Sequence, residues 1–333
     1  MPRRYCDAVA ARRTRIGART VGLALGYAAD LVLGDPRRWH PVAGFGRAAG
    51  FAERLLWRDS RAAGAAFAAA CVGLPAAAAL GADLALGRAG RAGAWLRAGL
   101  LAGLTWAALG GRSLGREAEG IARALETGDL AGARRRLPAL VGREVSGLDE
   151  AEACRAVCES VAENTADAVV GPLVWGALAG PAGVVAYRCA NTLDAMVGQH
   201  SQRYERFGWA AARLDDLLTW APARLVVLLA AACAPMVGGD ALAALAVARR
   251  DGRRHPSPNA GPVEAAFAGA TGVRLGGRNV YPNGAAGRVE LRGPLGHGAR
   301  PDPGAIRRCA RLSALVGAGA AVVCAGLTPR AAR

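Results

Sequence analysis

The sequence predicts an all-α, polytopic membrane protein with about four to six membrane-embedded helices and an extramembrane amphipathic helical region. Three observations carry this. Hydrophobic residues make up 53% of the chain, and the apolar content, mostly Ala, Leu, Val and Gly, comes in blocks rather than in alternation. The 42 basic residues are all arginine and lie mainly in the connections between those blocks, as the positive-inside rule expects. No strand pattern persists along the chain, so the 333 residues read as helices and loops.

Taken in order, residues 1–20 form a basic arm that leads directly into an apolar run at 21–34. That run continues into a charged motif rather than a small-residue cleavage site, which marks it as an uncleaved first segment. Further apolar blocks cover about 62–87, 94–111, 168–187, 221–248 and 312–327. A helical span takes about 20 residues, so the blocks at 62–87, 168–187 and 221–248 are comfortable and the others marginal. Asp83 and Asp240 interrupt two blocks, and an acid inside a true span must face protein or water. Residues 112–165 alternate apolar and charged positions with a period near 3.6 and read as two or three extramembrane helices. Residues 249–304 pile up Gly, Pro and Asn and read as loop, with only 261–272 helical.

Composition also excludes. A net charge of +16 raises the question of nucleic acid, but the arginines are dispersed and few aromatic residues lie between them, so no nucleic-acid partner is expected. The absence of lysine removes Schiff-base chemistry and any GxxxxGK[ST] loop. Eight cysteines form no CxxC pair, and a reduced protein is expected. HExxH and GxGxxG before a helix are both missing.

Four constellations could carry chemistry. Glu159, Glu163 and Asp167 follow one another at i, i+4 and i+8, an acidic stripe that is either a solvated face or a charge cluster offset by Arg or Mg²⁺, with Asn164 beside it. The stretch 187–225 carries Asn191 and Asp194 on one face, then Arg203, Tyr204, Arg206, Arg213, Asp215 and Asp216. Taken singly these read as salt bridges or caps. As a set, guanidinium forks and carboxylates suit a phosphorylated substrate with Mg²⁺. Near the start lie Asp30, Asp35 and His40; Asp35 before Pro36 marks a helix stop, and His40 is a base or an interface residue beside Trp39. Finally, Arg254, His255, Ser257 and Asn259 precede a helical run, either as its cap or as an anion site at its N-terminus.

In order, the segments GYAADLVLGDPRRWHPV, SVAENTADAVVGPLVW, ANTLDAMVG, RYERFGWAAARLDDLLTWAPARL and HPSPNAGPVEAAFAGATGVRLGG resemble the signature blocks of the CobD/CbiB family, the adenosylcobinamide-phosphate synthases of cobalamin biosynthesis. The resemblance runs from about Val21 onward, so residues 21–333 are expected to form one membrane domain and the arm 1–20 falls outside it. It implies a multi-pass enzyme of the cell membrane that joins a propionate carboxylate of adenosylcobyric acid to the amine of aminopropanol phosphate. That chemistry implies ATP as cosubstrate and Mg²⁺, with the site facing the cytoplasm. On this footing Glu163, Asp167 and Asp194 are expected to be catalytic. Asn164, Asn191, Arg203, Tyr204, Arg213, Arg254, His255, Ser257 and Asn259 are expected to hold substrate or phosphate, and Asp30, Asp35, Asp215 and Asp216 metal. The alternative is a transporter for a corrinoid or another anionic solute, with the same acids and arginines lining a path. A third reading is a basic peripheral protein gripping anionic lipid or nucleic acid. The sequence leaves the oligomeric state open.

Overall fold

The computed structural model describes residues 2–36, 40–199, 201–281 and 288–327, with the side chains of 2–16, 91 and 288 outside the description. Trp39 lies outside the described residues. The helices are α1 (Pro2–Leu33), α2 (Pro41–Leu56), α3 (Arg61–Leu86), α4 (Gly90–Ala108), α5 (Gly111–Glu126), α6 (Leu130–Arg136), α7 (Glu150–Thr165), α8 (Gly171–Val197), α9 (Trp209–Cys233), α10 (Ala241–Asp251) and α11 (Ala260–Thr271). Strands β1 (Leu275–Tyr281) and β2 (Arg288–Leu295) follow, and then α12 (Pro303–Leu327). Among the described residues five helical stretches, 61–86, 92–126, 150–197, 209–237 and 303–327, are long and apolar enough to cross a membrane. The fold is all-α and polytopic, as the block pattern predicts. Leu74 and Trp95 are more than 70% exposed, an apolar surface suited to lipid.

The chain divides into two compact units, one of residues 1–110, 171–218 and 320–333, the other of 111–170 and 219–319. In the first unit α1 packs along α4, and α3 along α8. Gly22 and Gly26 make the α1–α4 approach possible: a Cβ on Gly22 would sit 2.8 Å from the Ala98 carbonyl, and one on Gly26 2.6 Å from Thr105 Cβ. This is a GxxxG spacing, which lets helix backbones come close where lipid gives no hydrophobic drive. The basic arm continues into α1 without a break. Helix α1 stops at Gly34, whose φ of 66° and N–H bond to the Asp30 carbonyl form a left-handed cap. His40 caps α2, its Nδ1 accepting from Val42 N at 3.2 Å. Helix α8 breaks at Gly180 (φ 64°, ψ −145°) just before Pro181. Phe67, Leu193, Val197 and Phe207 form the core of this unit.

In the second unit α11 is buried nearly all round and packs on α10 and α7. The apolar run read as 221–248 is two helices: Gly238 takes φ 79°, and Asp240 caps α10 by accepting from Ala243 N at 2.9 Å. Asp240 therefore sits at a helix start, not inside a span. Asp83 does lie within a helix, and Arg97 grips it with two hydrogen bonds of 2.7 and 2.6 Å, both side chains in the first unit. Along the acidic stripe Glu159 is buried and Glu163 exposed, both on α7, and the π-turn at Ala166–Val170 that follows carries the half-buried Asp167 on a shifted face. The sequence reading of 249–304 as loop missed the antiparallel pair β1–β2, which carries a register shift between Leu275 and Gly277. Gly and Arg interrupt both strands, and cross-strand pairing rather than intrinsic propensity holds them. The seven described cysteines are free thiols.

Candidate functional site

The deepest concentration of charge lies in the second unit and begins on α7. The capping box Asp149–Glu152 starts this helix. One turn on, Arg155 and Glu159 share a face, and Arg155 Nη1 donates to Glu159 Oε1 at 3.0 Å. Arg143, from the loop before α7, donates to Glu159 Oε2 at 2.6 Å, and Gly276 N of β1 donates to Oε1 at 2.8 Å. Both guanidinium groups also donate to Asn279 Oδ1, Arg155 at 3.0 Å, and Arg155 Nη2 reaches the Arg278 carbonyl at 2.9 Å. Two guanidinium groups thus hold one buried carboxylate, leaving this part of the network a net positive charge.

A second cluster centres on Glu264, which α11 carries at 0% exposure. Its Oε1 stands 3.5 Å from His255 Nε2 and 3.6 Å from Arg292 Nη1, beyond hydrogen-bond reach, and neither carboxyl oxygen has a hydrogen-bond partner. Burial, reinforced by Glu159 and Glu163, holds the Glu264 carboxyl well above the usual carboxylate range, with Arg292 acting the other way. His255 Nδ1 accepts from Ser257 N at 3.0 Å, so a neutral ring carries its proton on Nε2, towards Glu264. Burial, together with Arg292, pushes the His255 imidazole down to about 4, so it is neutral at pH 7. Arg292 binds Glu290 at 2.7 Å and donates to Tyr281 Oη at 2.8 Å, and burial raises the Tyr281 phenol. A buried acid whose carboxyl is held upward and a buried neutral imidazole thus face each other across 3.5 Å.

The residues singled out in the sequence fall into both units. In the first, Arg203 Nη2 and Tyr204 Oη converge on Glu53 Oε1 at 3.0 and 2.9 Å. Asn191 donates to Asp215 at 3.3 Å, and Arg213 pairs with Asp216 at 3.5 Å. Asp30 is buried near the end of α1, while Asp35 and Asp194 are half-buried. In the second unit Glu163, Asn164 and Asp167 lie at the α7 end, where Asn164 Nδ2 donates to the Ser160 carbonyl at 2.9 Å. Arg254 pairs with Asp251 at 3.1 Å. Asn259 stands at the N-cap of α11, Ser257 Oγ accepts from the N–H groups of Asn259 and Ala260, and Asn259 Oδ1 accepts from Arg224 at 2.6 Å.

Among the described residues no three His, Cys, Asp or Glu side chains come together as a metal-ligand set. Asp30, Asp35, Asp215 and Asp216 all lie in the first unit, and no step is routed through a metal ion on them. Sequence reading missed Glu264, Arg143, Arg292, Asn279 and Tyr281. Glu264 had a signal, being the single charge in AGPVEAAFAGAT, the same feature that drew attention to Glu163. Arg143 and Arg292 had none, since they reach the cluster from loop and strand positions far apart in sequence.

Comparison with known proteins agrees on one family. The sequence model described as CobD/Cbib protein matches residues 23–313. The cobalamin biosynthesis protein CobD of Mycobacterium tuberculosis (strain H37Rv) is 49% identical over 314 residues, covering 94% of this chain and 96% of that protein. The proteins of the same name from Pelobacter propionicus and Rhodobacter capsulatus are 45% and 40% identical, over 78% and 82% of this chain and 80% and 85% of theirs. No solved structure matches. The chain belongs to the CobD/CbiB family.

Proposed function

We propose that this protein acts in cobalamin biosynthesis as a membrane-embedded, amide-forming synthase. It joins a propionate carboxylate of adenosylcobyric acid to the amine of aminopropanol phosphate, giving adenosylcobinamide phosphate. The observation that carries the reading is the family match across residues 23–313, with relatives named for cobalamin biosynthesis over nearly the whole chain. Making an amide from a carboxylate and an ammonium group in water is uphill, so the carboxylate needs activation. ATP supplies it as a cosubstrate that brings its own Mg²⁺, and the activated acid is an acyl phosphate. The ammonium first gives up one proton to become the amine; attack by that amine forms the C–N bond, breaks the C–O bond to phosphate and releases a second proton from nitrogen.

Glu163 is the residue we assign to take that proton. It is an exposed carboxylate one turn beyond Glu159 on α7. Asp167, in the π-turn, orients the amine. Asn164 steadies the α7 end by its bond to Ser160. Both substrates and ATP are cytoplasmic, which puts the site on that face of the cell membrane.

The test is purified protein in detergent with adenosylcobyric acid, aminopropanol phosphate, ATP and Mg²⁺, read by mass spectrometry for the amide. Synthesis without a gradient supports the enzyme and rules out a carrier as the sole activity. Glu163→Gln is expected to lower the rate by roughly 10²-fold, the usual size of a general-base contribution. Full activity in Glu163→Ala and Asp167→Ala removes both from the mechanism, and Asp194→Ala tests its expected role in the same assay.

A further inference from the structure

The arginines expected from the sequence to bind phosphate already hold carboxylates: Arg203 with Glu53, Arg213 with Asp216 and Arg254 with Asp251. A different group does not. In the second unit a cavity of about 250 Å³ is lined by Arg155, Arg274, Arg278 and Arg300. The side chains of Arg274, Arg278 and Arg300 are exposed, and none has an ion-pair partner among the described residues. Arg155 forms part of the wall and is almost wholly buried, its guanidinium held by Glu159, Asn279 and the Arg278 carbonyl.

Two features separate this cavity from an ordinary solvated basic face. The first is Gly277, whose φ of 114° few side-chain-bearing residues adopt. A Cβ there would lie 3.8 Å from Arg155 Cζ, so the glycine leaves the guanidinium uncovered on that side. The second is the accounting of acids. Asp149 and Glu152 also line the cavity, but each carboxylate accepts from the other's backbone N–H in the α7 capping box. The acids are committed to the helix end, and four guanidinium groups face two carboxylates. Guanidinium forks match phosphate oxygens two at a time, and an excess of them around a concave site favours a multiply charged oxyanion over chloride.

We propose that this cavity is a binding site for a phosphate monoester group, with Arg274, Arg278 and Arg300 closing on the phosphate over the fixed Arg155. Assigning its occupant as the phosphorylated amine rests on the function proposed above, whereas the site itself does not. Arg155 links it to the rest of the network, because Glu159 lies one turn further along α7 and Glu163 one turn beyond that.

The experiment is thermal unfolding of the full chain in nanodiscs, titrated with inorganic phosphate against sodium chloride of matched ionic strength. In phosphatidylcholine discs, phosphate is expected to give a saturable stabilisation. Its half-saturation should rise at least tenfold in Arg274→Gln/Arg278→Gln and stay unchanged in Arg135→Gln, an exposed arginine outside the cavity. Equal losses in both variants, or no saturable response, overturn the site. Repetition in phosphatidylglycerol discs identifies the source of the anion. Weakened phosphate binding there, abolished as a difference by the double variant, overturns the monoester assignment and gives the cavity to the phosphodiester of a lipid headgroup. Unchanged binding assigns it to soluble phosphate. Amide synthesis without a phosphate response removes the pocket alone, and a phosphate response without synthesis removes the proposed reaction alone.

Discussion

Asp83 in the first unit and Glu159 in the second are both buried acids on helices, yet they are held differently. Asp83 meets one guanidinium, Arg97, in a bidentate pair, and each side chain is about a tenth exposed or less. Glu159 meets two guanidinium groups and a backbone N–H, and both arginines go on to further partners. The Asp83 pair is neutral and complete, as an acid within an apolar helix needs to be. The Glu159 network has a cation to spare, lies in the same unit as Glu264, a buried acid with no hydrogen bond among the described residues, and opens at Arg155 onto a cavity. A closed pair serves the fold. An open network leaves capacity for a ligand.

That contrast predicts its own breaking points. The largest effect comes from removing one partner of the closed pair, which strands a buried charge: Asp83→Ala should cost about 3–5 kcal/mol, read as a fall in the unfolding midpoint in detergent, whereas Arg143→Ala, which leaves Glu159 with Arg155 and the Gly276 N–H, should cost less. The double replacement Asp83→Leu/Arg97→Leu should restore stability and leave amide synthesis intact, because an apolar pair fills a complete ionic pair's place. An inactive but well-folded double variant would show that the closed pair also has a functional role.

Next in size is pH. The His255 imidazole titrates at about 4 in the folded protein and near 6.5 when unfolded. Between those values the unfolded chain holds a proton that the folded chain lacks, so stability falls as pH drops from 6.5 to 4, by up to roughly 3 kcal/mol. His255→Gln should flatten that window, and an unaltered slope would place the acid sensitivity elsewhere. Asp251, held down to about 2 chiefly by Arg250, adds a loss only at lower pH, as the medium falls below its unfolded value and through 2.

Gly26→Val should cost about 1–3 kcal/mol by driving a side chain into Thr105 across the α1–α4 contact. The smallest effect should come from Arg213→Gln, whose pair with Asp216 is exposed on the arginine side and worth at most about 1 kcal/mol. A large loss of stability there would mean that the first unit's polar stretch is more than a solvated face.

How much of this was legible in the sequence varies by element. The spans were, because burying 20 apolar residues in lipid is a property of each segment alone. The caps were partly legible: Asp35 before Pro36 fits the stop of α1, and Ser257 accepts from Asn259 N and from Ala260 N, the first N–H of α11. The GxxxG at Gly22 and Gly26 was present but unread, since apolar blocks show where a helix lies and not which face meets a neighbour. The hairpin β1–β2 was hidden by its glycines. Of the site, Glu163 and His255 were found by their position beside apolar runs, and Glu264 escaped although the same reasoning applied.

The sequence by itself determined the helical, membrane-embedded class, the arginine-only chemistry and, through its ordered blocks, the family. Each follows from local composition or from contiguous motifs. Tertiary structure alone decided which charges pair. Arg143, Glu159, Asn279 and Arg292 are separated by up to 149 positions in the chain, and electrostatic interaction depends on distance in space. Only the packing of α7, α11 and the hairpin brings them into two neighbouring clusters of one unit, leaves Glu264 without a hydrogen bond among the described residues and gathers Arg274, Arg278 and Arg300 around the guanidinium of Arg155.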